Sequence, residues 1–215
     1  MLRKDNYLFL VKLQYYQASP EAQFRIWKDS GSSKGKDGSF WSFVPHNGLS
    51  SGFYLLGDSI CEGYSSCSQL ILVKDISTEN ILAEPNGFTL IWDSTGTGAH
   101  DFVSVYRLIP PSSEYSCLGD VAVSSVGAYP NLSRYRCVKT EYLKLILMER
   151  YPIWDDSETG ANNHFAAYHF DTLSSTVDMG LFWSEASRQW PKEQYTPALK
   201  KQDSIECSSL DGSCE

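Results

Sequence analysis

Four short landmarks recur in the same order three times along this 215-residue chain. Such repetition marks a fold assembled from copies of one supersecondary unit, none of which buries its apolar face alone. A Val-Lys pair opens each copy, at Val11-Lys12, Val73-Lys74 and Val138-Lys139. An Ile-Trp pair then leads into a small polar loop. These stretches are Ile26-Trp27-Lys28-Asp29-Ser30-Gly31, Ile91-Trp92-Asp93-Ser94-Thr95-Gly96 and Ile153-Trp154-Asp155-Asp156-Ser157-Glu158. Fourteen residues beyond each tryptophan stands a second aromatic: Trp41, Tyr106 and Tyr168. The last landmark is Leu56-Gly57-Asp58, then Leu118-Gly119-Asp120, then a degraded Met179-Gly180-Leu181. Ala198-Leu199-Lys200 reads as a fourth opening strand whose copy never completes, and it is expected to pair near the first strand and close the ring.

Each copy has the pattern of β-structure. Tyr7 to Tyr16, Phe88 to Trp92, Phe102 to Leu108 and Tyr142 to Met148 are short apolar or alternating runs. Clusters of Gly, Ser, Asp, Asn and Pro separate them. Helical periodicity is weak, with a turn or two of helix expected within 183–195. Repeats of this length hold about four strands each. One such sheet leaves an apolar face bare, whereas three cover one another about a pseudo-threefold axis. The expected fold is all-β, a β-prism of three pseudo-symmetric repeats at about 7–68, 69–134 and 135–200. These form a single domain over 1–200, followed by a polar tail over 201–215. A β-trefoil is the alternative, but its repeat is shorter.

Charge and cysteine content narrow the function classes. Eighteen Lys and Arg against 26 Asp and Glu leave a net charge of −8, which argues against nucleic acid as a partner. The same balance weakens a general electrostatic hold on anionic membranes. No apolar run approaches the ~18 residues of a membrane-spanning helix, and the opening Met1-Leu2-Arg3-Lys4-Asp5 lacks the apolar stretch of a signal peptide. Six cysteines permit three disulfides. The close pairs Cys61/Cys67 and Cys207/Cys214 are not CxxC motifs, and the expectation is a mixture of buried thiols and one or two local loops. Asn131-Leu132-Ser133 is a solitary glycosylation sequon, read as a chance match.

Catalytic patterns are poor. In Gly96-Thr97-Gly98 the third glycine of a dinucleotide fingerprint is replaced by Asp101, and the βαβ context is missing. The stretch from Gly31 to Asp37 resembles a phosphate loop in composition only. His46, His100, His164 and His169 lack metal-site spacing. The reading is therefore a non-enzyme with no cofactor and no metal.

The second copy, from Phe88 through the Trp92-Asp93-Ser94-Thr95-Gly96 loop and Tyr106-Arg107 to Leu118-Gly119-Asp120, resembles the repeat of the vacuolar protein sorting-associated protein 62 family. The first copy fits well. The third departs at Glu158 and at Met179-Gly180-Leu181. The resemblance spans roughly residues 7–200. Similar repeats occur in the adaptor-binding region of a large lipid-transfer family, and the β-prism domain of multivesicular-body proteins is a more distant relative. These likenesses imply membrane trafficking and lipid-headgroup or peptide binding, at the cytosol or an endosomal surface. Jacalin-type lectins share the prism shape and imply sugar binding. The cysteines and the sequon favour secretion instead.

A tryptophan at one position of every repeat is expected to fill a shared core, its indole N–H on a carbonyl, rather than to form a ligand platform. Trp183 and Trp190 fall outside the repeat pattern and are candidates for exposed aromatics. The loops after each tryptophan hold Asp29, Ser30 and Asp37; Asp93, Ser94 and Asp101; and Asp155, Asp156 and Asn163. Threefold symmetry would gather them into an oxygen-rich rim suited to sugar hydroxyls or a weak calcium site. The competing reading is that they build their own turns. Arg25, Lys28, Lys34 and Lys36 form a local basic patch, and Lys34 and Lys36 with Trp183 and Trp190 would contact a membrane.

The sequence thus points to a recognition module with repeated loops for a glycan or a lipid headgroup, where repeated weak sites gain from avidity. The alternatives are a trafficking adaptor that binds peptide segments, or the targeting subunit of a pore-forming complex. A protein partner or self-association is compatible with either.

Overall fold

The computed structural model describes residues 12–32, 35–43, 52–170, 173–191, 195–201 and 204–208. Three units follow one another. Unit I holds β1 (Leu13–Gln17), β2 (Gln23–Lys28), β3 (Gly38–Phe43), β4 (Tyr54–Leu55), β5 (Ser59–Glu62) and β6 (Ile71–Asp75). Unit II holds β7 (Leu82–Ala83), β8 (Gly87–Asp93), β9 (Val103–Ile109), β10 (Tyr115–Ser116), β11 (Val121–Ser124) and β12 (Cys137–Lys139). Unit III holds β13 (Leu143–Leu147), β14 (Trp154–Asp155), β15 (Ala166–Tyr168), β16 (Trp183–Glu185) and β17 (Tyr195–Leu199), and β18 (Ser204–Cys207) follows. The fold is an all-β prism. Each unit has more than the four expected strands because several are only two residues long and are invisible to periodicity.

Each unit contributes one three-stranded antiparallel sheet, in the orders β2-β3-β5, β8-β9-β11 and β14-β15-β16. The second aromatic of every repeat sits in its middle strand. The remaining sheets are β18-β1-β6-β4, β10-β12-β7 and β13-β17. In these, the Val-Lys strand of each sequence repeat completes the sheet of the unit before it. Val73 pairs with Tyr15, Val138 with Leu82, and Leu199 with Leu143. The fourth Val-Lys echo therefore completes unit III by pairing with β13, not with the first strand. The strand that reaches the first one is β18, which runs parallel to β1. Part of the segment read as a polar tail is thus in a sheet, and the Tyr15 hydroxyl donates to Glu206 across that pairing.

The axis is built from the Ile-Trp pairs. Strand alternation sends consecutive side chains to opposite faces, yet Ile26 and Trp27, and Ile91 and Trp92, both meet the same core cluster. A β-bulge reconciles this: pairing shifts between Arg25 and Trp27 and between Leu90 and Trp92, leaving each isoleucine unpaired. In unit III the Ile153 N–H donates to Ala167 O while Trp154 pairs with the same residue. The three indoles meet edge to face, with centroids 6.4 Å (Trp27–Trp92), 5.5 Å (Trp27–Trp154) and 6.0 Å (Trp92–Trp154) apart. This near-equilateral triangle is the pseudo-threefold axis in side-chain form. Phe40, Phe165 and Phe182 pack around it.

A second ring surrounds the axis at the Leu-Gly-Asp landmarks. The Gly119 N–H donates to Leu56 O, Asp58 N–H to Asp120 O, and Asp120 N–H to Phe182 O. A Cβ on Gly57 would lie 2.9 Å from Gly119 Cα, so the close approach of two backbones demands glycine there. Ladder register sets the third copy. Trp41 pairs with Ser59, Tyr106 with Val121 and Tyr168 with Trp183. The equivalent of Leu-Gly-Asp is therefore Gly180-Leu181-Phe182, one residue later than the sequence suggests.

The junctions between units diverge at this ring. At I/II the buried Asp58 carboxylate accepts from Ala122 N–H and from the Tyr135 hydroxyl. Burial pushes its carboxyl up, against the donors that surround it. At II/III the buried Asp120 accepts from Ser184 N–H and takes a bidentate pair from Arg107, 3.0 Å on each arm. At III/I the position is apolar Phe182, and His169 Nε2 bonds Ile60 O instead.

Trp183 thus belongs to the repeat after all, equivalent to Ser59 and Val121. It is half-buried, with the Arg107 guanidinium 3.5 Å from its ring centre. Trp190 is half-buried against Tyr168. Neither is an exposed aromatic, and residues 183–185 are strand rather than the helical turn expected there.

No cysteine is free among the described residues. Cys61 pairs with Cys67, which is a local loop as expected, while Cys117 pairs with Cys137 and Cys207 is also disulfide-bonded, so the expected buried thiols are not found among the described residues. Of the close pair Cys207/Cys214, Cys214 lies outside the described residues. The Cys117–Cys137 bridge, 20 residues apart, ties β12 to the segment that follows β10. Replacing both of its cysteines with alanine is expected to cost about 3 kcal/mol, from the loop entropy released to the unfolded chain. Urea unfolding of the double variant checks this, and a loss of under ~1 kcal/mol would contradict it.

Candidate functional site

The three loops that follow the tryptophans close one end of the prism. Asp29, Ser94 and Asp156 are equivalent, each two residues past its tryptophan and each buried. Their backbone N–H groups donate to Gly38, Val103 and Phe165 carbonyls. The Ser94 hydroxyl accepts from Val103 N–H, and Asp156 Oδ1 accepts from Phe165 N–H. Asp29 differs: its two oxygens accept from the Trp154 indole N–H and the Tyr64 hydroxyl.

Asp93 and Asp155 fold back on their own loops, accepting from Thr95 N–H and Ser157 N–H. These are Asx-turns, whose cause is local. Thr97 and Thr159 repeat one device, donating to the carbonyls of Ser94 and Asp156 while accepting from Ala99 and Ala161 N–H. The Asp and Ser side chains at these positions therefore build the turns, and they do not converge on a shared rim of free oxygens.

The loops also bind one another. His100 N–H donates to Ser30 O in unit I, and Asn162 N–H donates to Thr95 O in unit II. The tryptophans reach across in the same sense: Trp27 Nε1–H donates to Asp101 O at 2.8 Å and Trp92 Nε1–H to Asn163 O at 3.0 Å. Trp154 departs, bonding the Asp29 carboxylate. Asp37, Asp101 and Asn163 are the exposed members of the expected set. For the latter two, the backbone is pinned from inside by a neighbouring unit while the side chain faces out.

The basic patch is engaged within the protein. Lys36 lies 3.5 Å from Glu62, and Lys28 sits over the Tyr64 ring. Lys34 lies outside the described residues. Two residues that hold this end together gave no repeat signal. Tyr64 donates to both Asp29 and Asp37, and burial first, then these two carboxylates, push its phenol up. Arg188 clamps Asp156 through both oxygens, at 2.7 and 2.8 Å. The threonines could have been read, since Thr97 and Thr159 stand at equal distances from their tryptophans. Among the described residues no group of three or more His, Cys, Asp and Glu is placed to hold a metal ion.

Comparison with known proteins places this architecture. No curated protein sequence matches the chain. The crystal structure of GNIP1Aa from Chromobacterium piscinae superposes with a TM-score of 0.73 at 21% identity, over 91% of this chain. The chain spans 38% of the length of that protein, and the likeness is one of fold. The family described as vacuolar protein sorting-associated protein 62 matches residues 7–208, a span that takes in all three units, and the protein belongs to that family.

Proposed function

We propose that the protein is a non-enzymatic recognition module that presents the loop-closed end of its prism to glycans. The observation that supports this reading is the pinning of Asp101 and Asn163: their carbonyls are held by indoles from below, so the backbone that carries these exposed side chains is fixed before any ligand arrives. Fixing the loop backbone beforehand removes part of the entropic cost of binding. Carboxylate, amide and backbone groups in fixed positions suit hydroxyl-bearing ligands. The internal engagement of Lys28 and Lys36, with the net charge of −8, favours a neutral glycan over an anionic lipid headgroup.

The test is a glycan array with competition by free sugar. The double substitution Asp101→Ala with Asn163→Ala is expected to weaken binding about tenfold, from two lost hydrogen bonds, with little change in melting temperature because both side chains are exposed. Silence across the array sinks the glycan reading. Flotation with vesicles that contain anionic lipid, but not with neutral vesicles, replaces it with a headgroup.

A further inference from the structure

In sequence, Asn131-Leu132-Ser133 reads as a chance match. Its place in the fold gives it three properties that a chance match need not have. The first is the state of the amide. Asn131 is exposed, with extended backbone, and caps the short 3-10 helix Leu132–Arg134. Its Oδ1 accepts from the Ser133 N–H at 3.2 Å and from the Ser133 hydroxyl at 2.8 Å. A backbone N–H can only donate, so the atom that meets it is the amide oxygen. Both bonds fall on that oxygen, and Nδ2 has no partner among the described residues. The second property is an aromatic neighbour. Pro130 keeps the residue before it extended, and in an extended chain residues two apart share a side. Exposure alternates accordingly: Tyr129 is 72% exposed, Pro130 buried and Asn131 exposed. The Tyr129 ring stacks on Phe88 with centroids 5.4 Å apart, which occupies one of its faces and leaves the other for the apolar side of a sugar ring. The third is the redox state of the cysteines. The sequon lies within the loop that the Cys117–Cys137 bridge closes, and Cys61, Cys67 and Cys207 are disulfide-bonded as well. Disulfides form and persist in oxidising compartments, where asparagine-linked glycans are also attached.

We propose that Asn131 carries an N-linked oligosaccharide. The donor is an oligosaccharide on a polyisoprenyl diphosphate, which the secretory pathway supplies together with the transferring enzyme. Asn131 Nδ2 bonds to the anomeric carbon of the first sugar. The anomeric C–O bond breaks, the diphosphate leaves with its electron pair, and the amide proton passes to a base of the enzyme. Transfer acts on the chain before it folds, so the part of the fold is to leave room. An oligosaccharide on a buried asparagine would block packing, whereas this one stands on an exposed loop outside the three core clusters. The inference does not depend on the reading of the loop end: there a sugar is a ligand, here it is covalently bound.

The test is peptide mapping of the protein isolated from its native source, with enzymatic release of N-glycans in water enriched in heavy oxygen. No other asparagine of the chain has Ser or Thr two residues on, so an N-linked glycan must sit at this one. The peptide that carries Asn131 is expected to bear hexose and N-acetylhexosamine, and release is expected to leave a heavy-oxygen aspartate at that position. In a second arm the full chain is secreted from a eukaryotic cell behind a heterologous leader. The parent and Ser133→Thr are expected to be glycosylated there. Asn131→Gln and Ser133→Ala are expected to lose the glycan completely and still to fold, because both residues are exposed. An unmodified Asn131 in the native protein overturns the inference, whether Cys117 and Cys137 are found bonded or reduced. A secreted parent chain without a glycan, or a glycan that survives Asn131→Gln, overturns it as well.

Discussion

Replacing Trp92 with alanine is expected to lower the unfolding free energy by about 3–5 kcal/mol, among the largest effects of any single truncation in this protein. Trp92 contacts both other axial tryptophans and stacks on Phe165 with centroids 4.6 Å apart. It is also the donor that pins Asn163 O. Truncation leaves a cavity at the point where all three units meet, and no unit can collapse into it without losing its register against the other two. For a chain of this length each kcal/mol moves the melting temperature by about 2–4 °C. Calorimetry should show one transition moved down as a whole. A loss below about 1 kcal/mol, or a transition split in two, would mean that the units do not share a core.

Asp120→Ala is expected to cost about 3 kcal/mol. The carboxylate is fully buried, and its removal strands the Ser184 N–H and hydroxyl and leaves the Arg107 guanidinium without a counter-charge, with only the Ser184 carbonyl and the Trp183 ring as partners. Arg107 retains 29% exposure, so solvent relieves part of its charge and the cost sits at the low end of the range for a broken buried pair. Pairing Asp120→Leu with Arg107→Met removes both charges and is expected to lose less than Asp120→Ala alone. Urea unfolding of the two variants separates the cases. A double variant less stable than the single one would show that the ion pair stabilises the fold beyond meeting its own desolvation.

Much of this architecture was legible in the sequence because symmetry makes one error visible against two correct copies. The Trp27, Trp92 and Trp154 landmarks led directly to the axial triad and to the carbonyl partners of Trp27 and Trp92, while Trp154 bonds the Asp29 carboxylate instead. Pairing across unit boundaries was not legible: nothing in Val73-Lys74 records that β6 completes the sheet of unit I. The bulges escaped too, since an Ile-Trp pair looks the same whether one residue or both face inward. Met179-Gly180-Leu181 misleads because Gly180 matches the landmark glycine in sequence while the ladder register places Leu181 there. The close approach is set by ladder register, and Leu181 occupies the glycine's place. At the loop end, several of the residues expected in a ligand rim build their own turns instead. An aspartate that caps its own turn and one that faces solvent read alike. Only Asp37, Asp101 and Asn163 turned out to face solvent, and the Tyr64 and Arg188 clamps, each five residues past the equivalent Ser59 and Trp183, differ in residue type and so leave no repeat to read.

The shared axis is tested most directly by proton NOEs between the indole rings, assigned with single Trp→Phe variants. Cross-peaks are expected for all three pairings of Trp27, Trp92 and Trp154, as their centroid spacings of 5.5 to 6.4 Å require. An indole that shows contacts only within its own unit would contradict the threefold arrangement.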